Sequence, residues 1–114
     1  MLRIEHLTHF FGGLKAVEDF SLEIKPRQII GLIGPNGAGK TTIFNLITGV
    51  YKPTQGNIIF EENKITGLKP YQITQKGVVR TFQNIRLFSN MTVLENIMVA
   101  RHYRMKASIL WYVL

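Results

Sequence analysis

Alternating apolar and polar positions predict two strands at the start of the chain. The segment Leu2–Thr8 places apolar side chains mostly at every second position, which is typical of a half-buried strand. Gly12-Gly13 indicates a turn, and a second alternating segment follows over Val17–Ile24, where a slip at Asp19 predicts a bulge. Asn57–Phe60 is predicted to be a further, short strand. These segments predict a half-buried sheet.

The central part of the chain has a different pattern. Ile29–Ile33 is continuously apolar, which favours a strand covered on both faces, as in a parallel sheet. The glycine-rich segment Gly34–Gly39 cannot be the interior of a helix, and Lys40–Thr48 then has helical spacing, with Gly49 as a stop. The apolar face predicted for this helix comprises Ile43, Phe44 and Ile47. The order is therefore strand, loop, helix.

The remaining elements alternate between helix and strand. Pro70 suits the first turn of a short helix that Gly77 ends, and Val78–Phe82 is predicted to be a strand. Thr92 and Glu95 have the spacing of a capping box at the start of a further helix. The apolar face predicted for that helix comprises Val93, Leu94, Ile97 and Met98. Together these elements predict a mixed α/β domain.

Length and composition narrow the class of protein. The chain has 114 residues, which allows one domain, and its 46% apolar content is ordinary for a globular protein. Its longest apolar run, Ile109–Leu114, is far shorter than the roughly 20 residues of a membrane span. There is no cysteine, which excludes disulfides and thiolate metal sites and is compatible with a reducing compartment. We expect a cytosolic protein.

The net charge of +7 arises in the second half of the chain. Residues 1–62 balance six basic against six acidic side chains, whereas residues 63–114 hold eight basic side chains and a single acidic one, Glu95. Such a block of basic residues is typical of proteins that bind nucleic acids or anionic membranes. It would also arise if an acidic remainder of the protein were missing.

One motif predicts phosphate binding. The segment Gly34-Pro35-Asn36-Gly37-Ala38-Gly39-Lys40-Thr41 matches the pattern G-x-x-x-x-G-K-[ST]. Glycines let the backbone N–H groups wrap an anion, and the following helix adds free N–H groups and the positive end of its dipole. Lys40 would bridge the β- and γ-phosphates, Thr41 would ligate Mg²⁺, and Thr42 would reach the α-phosphate. A chance match in a chain of this length has a probability of about 0.4%.

GTPases, kinases and ATPases share this loop, so sequence segments outside the loop are needed to distinguish these classes of protein. The sequence has neither the Asn-Lys-x-Asp nor the Asp-x-x-Gly segment of a GTPase. The run Gly34–Thr42 resembles the GPNGAGKTT loop of ABC transporter ATPases. Phe11-Gly12, about 23 residues upstream, resembles the family's aromatic-glycine pair, whose ring stacks on adenine. Phe10 adjoins Phe11, and either ring could be the one that stacks.

Three further segments are similar to the ATP-binding subunit of branched-chain amino-acid importers. They are Phe11–Val17, Asn45–Gly49 and Arg80–Phe88, and the last of these contains Gln83, which resembles the family's Q-loop glutamine. The lipopolysaccharide-export ATPase is a near relative. The resemblance implies a P-loop NTPase fold of the ABC nucleotide-binding type, with an antiparallel β subdomain and the start of a parallel core sheet. Residues 1–114 would be the N-terminal portion of one such domain.

The resemblance also implies ligands and partners. ATP and Mg²⁺ would be the cofactors, with Lys40 and Gln83 as the catalytic residues and Thr41 and Gln83 as the metal ligands. Gln83–Phe88 would contact transmembrane permease subunits, and a second ATPase subunit would complete the site. The protein would lie at the inner face of the cell membrane. No nucleic-acid partner is implied.

Several family motifs do not occur in the sequence: the Leu-Ser-Gly-Gly-Gln signature, the Asp-Glu strand and the switch histidine. We therefore expect this chain alone to bind nucleotide without hydrolysing it. A short non-catalytic nucleotide-binding module, a lipopolysaccharide-export ATPase subunit and a basic nucleic-acid binder are the alternatives. The histidines, which are His6, His9 and His102, have no metal-ligand spacing and are expected to be surface or packing residues.

Overall fold

The computed structural model describes residues 1–84 and 86–101, which form two units. The first unit is Met1–Val79 and the second begins at Arg80. The strands are β1 (Leu2–Phe11), β2 (Leu14–Ile24), β3 (Gln55–Phe60) and β4 (Asn63–Lys64). The helices are α1 (Lys40–Ile47), α2 (Pro70–Gln75) and α3 (Val93–Arg101). Of these elements, α3 belongs to the second unit.

The four strands form one antiparallel sheet in the order β2-β1-β3-β4. Gly12-Gly13 joins β1 to β2 as the sequence predicts. The register of these two strands shifts in their middle, where His6 and Asp19 both have positive φ angles, of 49° and 46°. The two side chains meet there, with Nδ1 of His6 2.7 Å from Oδ1 of Asp19. The predicted bulge at Asp19 is confirmed.

The core lies between the sheet and the helices of the first unit. It comprises Ile4, Leu7, Val17, Ile43, Leu46, Ile58, Ile65 and Ile73. The buried residues of α1 are Ile43 and Leu46, whereas Phe44 is 48% exposed. The prediction of Phe44 as part of the buried face was therefore wrong. Ile43 and Leu46, which are three residues apart and lie on one side of the helix, face the core instead.

The strands predicted at Ile29–Ile33 and Val78–Phe82 are not formed. Ile29 and Ile33 are almost fully exposed, and Val79 is also exposed. A buried strand requires hydrogen-bonding partners on both edges and apolar cover on both faces. Within residues 1–84 and 86–101, no strand pairs with either segment, and the apolar side chains consequently lie in irregular backbone. Among the described residues, the antiparallel part of the predicted architecture is present without a paired parallel sheet.

Helices α2 and α3 begin at the positions that the sequence predicted for their N-termini. Pro70 opens α2, and Gln72 Oε1 accepts a hydrogen bond from the N–H of Lys69. Glu95 accepts a hydrogen bond from the N–H of Thr92 at 2.7 Å, and the Glu95 N–H donates to Thr92 Oγ1 at 3.3 Å. The predicted capping box is confirmed.

The apolar face predicted for α3 is not buried within the described residues. Val93, Leu94 and Ile97 are all more than half exposed. No described helix has both the length and the apolar character needed to cross a membrane. Two sequence predictions, on His102 and on the apolar run Ile109–Leu114, lie outside the described residues.

Candidate phosphate-binding site

The predicted phosphate loop leads directly into α1. Gly39 is the N-cap of the helix, and its φ of +83° is in the left-handed region. The first helical hydrogen bond runs from the N–H of Ile43 to the carbonyl oxygen of Gly39 at 2.9 Å. The N–H groups of Lys40, Thr41 and Thr42 precede that bond and have no acceptor inside the helix. Such unpaired N–H groups at a helix start are suited to bind an anion.

Nothing in the first turn of α1 competes for these donors. No side chain caps the helix start, and the first turn contains no acidic residue. A helix N-terminus carries partial positive charge, which an aspartate or glutamate at this position would neutralise. The charge and the three N–H groups are therefore left for an external anion, such as a phosphate group.

The side chain of Lys40 folds back over the loop. Its ammonium group donates to the carbonyl oxygen of Gly34 and, at 2.6 Å, to that of Pro35. The N–H of Ala38 donates to the same Pro35 oxygen at 3.2 Å, which closes the turn. The lysine charge is thereby held at the loop by neutral carbonyl groups. A phosphate oxygen is a stronger, charge-assisted partner for an ammonium group, so a phosphate can replace these contacts.

The other predicted loop residues are accessible to a ligand. Pro35, Asn36, Gly37 and Ala38 are exposed, while Gly34 and Gly39 are half-buried. Thr41 is exposed at the helix start, and Thr42 beside it is half-buried. The residues predicted to contact phosphate are consecutive in sequence, and the Gly39 end of their loop lies against β2.

The residues of this segment fit a magnesium nucleotide. Mg²⁺ prefers oxygen ligands and keeps several waters, and it is commonly bound by one or two protein oxygens together with substrate phosphates. The exposed hydroxyl of Thr41 supplies one such oxygen beside the free N–H groups. Within the part of the chain that the structure describes, no group of three His, Asp or Glu side chains could hold a metal ion without the nucleotide.

The aromatic residues at the end of β1 are in two different environments. The Phe11 ring lies 4.7 Å from the His9 ring and 5.1 Å from the Tyr51 ring, nearly perpendicular to each. Phe10 lies near Lys15, whose Nζ is 6.0 Å from the centre of the phenyl ring. Both phenylalanines are about 40% exposed. Phe11 therefore belongs to a cluster of three rings, which we call the aromatic cluster (His9, Phe11 and Tyr51).

The contacts of Tyr51 with the His9 and Phe11 rings were not predicted from the sequence. Tyr51 follows the C-terminal end of α1, and its N–H donates to the carbonyl oxygen of Asn45 at 3.2 Å. Only the sheet pairing and the path of the chain after α1 bring it to Phe11, so no local pattern could have predicted the contact. His9 is buried, as expected of a packing residue, and His6 is exposed, as expected of a surface residue.

Gln83, the predicted Q-loop residue, is exposed and belongs to the second unit. Beside it in sequence, Phe82 lies near two cationic side chains, with the guanidinium carbons of Arg80 and Arg86 5.2 Å and 5.4 Å from the ring centre. Of the predicted coupling segment Gln83–Phe88, Ile85 lies outside the described residues. The roles assigned to Gln83 stay predictions.

Comparisons with known proteins agree with the sequence motifs. The sequence profile described as ABC transporter matches residues 17–112. The chain is 53% identical over 109 residues to the high-affinity branched-chain amino acid transport ATP-binding protein LivG of Salmonella typhimurium. That alignment covers 96% of this chain and 43% of LivG, so the chain spans less than half the length of this relative.

Two solved structures have the same fold. The ADP conformation of MJ1267, an ATP-binding cassette of an ABC transporter, superimposes with a TM-score of 0.80 at 36% identity, over 99% of this chain and 44% of that one. The dimeric structure of MJ0796, a bacterial ABC transporter cassette, gives a TM-score of 0.78 at 25% identity, over 96% of this chain and 50% of that one. Both support the predicted α/β fold class.

Proposed function

Because the chain belongs to the ABC transporter family, we propose that it is part of an ATP-binding subunit that couples ATP binding and hydrolysis to the import of branched-chain amino acids. The observation that carries the proposal is the loop Gly34–Gly39, which ends in a helix start with three free N–H groups and the Lys40 ammonium. The transported solute is inferred from the name of the relative that is 53% identical.

The residues of the loop would bind the triphosphate. The N–H groups of Lys40, Thr41 and Thr42 would donate to phosphate oxygens at the positive end of α1. The Lys40 ammonium would leave the carbonyl groups of Gly34 and Pro35 and bridge the β- and γ-phosphates. In this way the lysine would neutralise charge on the phosphoryl group that hydrolysis transfers.

Two further residues would complete the cofactor site. The Thr41 hydroxyl would supply an oxygen to Mg²⁺, which neutralises the charge that develops on the phosphates. Gln83 would contribute its amide oxygen as a second ligand and help to orient the attacking water. Both assignments follow from the resemblance of the surrounding motifs.

Phe11 is the better of the two candidates for stacking on adenine. Its ring is fixed by perpendicular contacts to His9 and Tyr51, whereas the Phe10 ring lies under the ammonium group of Lys15. A ring that is already ordered loses less conformational entropy when a base stacks on it. About two-fifths of Phe11 remains exposed, which leaves surface for the base.

The proposed partners come from the family. A second ATPase subunit would bind against the loop, and the similar MJ0796 cassette is described as dimeric. The segment Gln83–Phe88 would contact the transmembrane permease subunits, which would hold the protein at the cytoplasmic face of the membrane. The exposed apolar and cationic side chains of this segment, such as Leu87 and Arg86, suit such a contact.

Calorimetry with magnesium nucleotide tests the proposal. We expect MgATP to bind the protein and ADP to compete, and we expect Lys40→Ala to weaken binding about 10- to 100-fold through the loss of charge-assisted hydrogen bonds. Lys25→Ala, which removes an exposed lysine before the loop, is the matched control and should change nothing. Absence of MgATP binding to the folded protein would refute the proposal. Salt-sensitive binding to random DNA that Lys40→Ala leaves unchanged would instead favour a nucleic-acid partner.

Uptake measurements test the transported solute. Cells that lack this gene should lose high-affinity leucine uptake, and the wild-type gene should restore it while the Lys40→Ala gene should not. Uptake of a sugar that uses another transporter is the control. Unchanged leucine uptake in the deletion strain would contradict the proposed solute without affecting the nucleotide site.

A further inference from the structure

His9 is a buried histidine whose two ring nitrogens are unpaired in the part of the chain that the structure describes. Its side chain is about nine-tenths buried, yet neither Nδ1 nor Nε2 has a hydrogen-bond partner within the described residues. A buried polar group without a partner is unfavourable, and a leucine or phenylalanine at this position would bury no polar atom. The contacts that His9 does make are ring contacts, with Phe11 and with Tyr51.

The three rings of the aromatic cluster form a defined arrangement. The His9 and Tyr51 rings are nearly parallel, with an angle of 9° and centroids 5.7 Å apart. The Phe11 ring is perpendicular to both, at 89° to His9 and 82° to Tyr51. Perpendicular contacts between aromatic rings are favourable. Two such contacts from parallel neighbours restrict the orientation of the Phe11 ring.

The cluster is connected to the phosphate loop through the backbone. His9 pairs with Val17 in the register of β1 and β2. The neighbouring residue, Ala16, is in contact with Gly39 at the end of the loop. Phe11 is two residues beyond His9, about 7 Å further along β1. Tyr51 is bonded through its N–H to Asn45 of α1. Both ends of α1 are therefore connected to the cluster.

We propose that His9 is a positioning residue for nucleotide recognition, which together with Tyr51 holds the Phe11 ring in the orientation that receives the base. The inference rests on the proposed function, in which Phe11 stacks on adenine. His9 does not contact the base itself, since its own ring is buried beneath Phe11 and Tyr51. Its contribution is to keep Phe11 ordered before the nucleotide arrives, which reduces the entropy lost on binding.

The test compares two ligands, MgATP and magnesium inorganic triphosphate, in calorimetric titrations of the full chain. Triphosphate uses the loop and has no base, so its affinity reports an intact loop and a folded protein. We expect His9→Ala to weaken MgATP binding about 2- to 12-fold, the range of one aromatic contact, and to leave triphosphate binding unchanged. His9→Phe, which restores a flat ring, should recover most of the MgATP affinity.

Phe11→Ala and the double variant complete the experiment. If His9 acts through Phe11, adding His9→Ala to Phe11→Ala should cause no further loss of MgATP affinity. Additive losses, equal losses for both ligands, or unchanged MgATP binding in His9→Ala would each overturn the role of His9. Failure of Phe11→Ala to weaken MgATP binding would overturn the assignment of the base site, and with it this inference. Failure of the wild-type protein to bind either ligand would overturn the proposed function itself.

Discussion

A methyl group on the α-carbon of Gly39 would lie 2.5 Å from the carbonyl oxygen of Ala16. That separation is shorter than any normal contact of a side-chain carbon, so the phosphate loop and β2 can approach this closely only because residue 39 has no side chain. Gly39 also has a φ of +83°, which L-residues rarely adopt. The position of the loop against the sheet therefore depends on two separate properties of one glycine.

Substitution of Gly39 should accordingly be more costly than substitution of Gly37. Both have positive φ, at 83° and 85°, but a methyl group at Gly37 would meet nothing within 4 Å. We expect Gly37→Ala to lower the free energy of unfolding by about 1–2 kcal/mol, the cost of a left-handed alanine. Gly39→Ala adds a collision with backbone and should cost more. Urea denaturation of the two variants measures the difference, and equal losses would show that the contact with Ala16 is unimportant.

The packing of α1 gives a second prediction, on stability. Leu46 is 1% exposed, whereas Phe44 is 48% exposed. Leu46→Ala should lower the free energy of unfolding by about 2–5 kcal/mol, because it leaves a cavity in the core. Phe44→Ala, on the same helix, should cost about 1 kcal/mol or less. Thermal or urea unfolding measures both losses. The reverse order would mean that Phe44, and not Leu46, belongs to the core.

The start of α3 gives a prediction on pH. The backbone N–H of Thr92 donates to the Glu95 carboxylate, as does the Thr92 hydroxyl, and these bonds hold the pKa of Glu95 below its ordinary value. Bonds to the charged form favour it. The carboxylate therefore contributes stability that is fully present above its unfolded pKa and is lost as the pH falls through the lower folded pKa. The helical signal of α3 should weaken in acid over that interval.

A titration of the Glu95 side chain followed by NMR measures this pKa. Thr92→Val removes the hydroxyl donor and should raise the pKa part of the way to its ordinary value, because the backbone donor, which has the larger effect, remains. Thr92→Ser keeps both donors and is the control. A wild-type pKa at or above the ordinary value for glutamate would contradict the capping geometry.

Local signals in the sequence predicted turns, caps and helix starts in both units. The bulge at Asp19, the glycine loop before α1 and the capping box of Thr92 and Glu95 all follow from residues close together in sequence, and each is present. The family was also predictable, since the motif Gly34–Thr41 and its flanking segments resemble ABC transporter ATPases. These features depend on turn chemistry and capping, which short segments encode.

Features that depend on distant partners were not predictable in the same way. Ile29–Ile33 has the composition of a buried strand, but its partners would have to come from elsewhere, and within the described residues none pairs with it. The contact of Tyr51 with Phe11 depends on the whole path of α1 and β3. The buried face of α1 also differed from the predicted one. Phe44 and Leu46 are both apolar, and only the packing of the helix decides which of them is covered.

The central claim is that the free N–H groups at the start of α1 bind nucleotide phosphate. NMR of ¹⁵N-labelled protein during titration with MgATP tests it at the level of single residues. We predict large, saturable shifts of the backbone amide signals of Lys40, Thr41 and Thr42, reproduced by inorganic triphosphate, while the amide of Gln72 in α2 stays unchanged. Saturating MgATP that leaves the three amide signals in place would contradict the account.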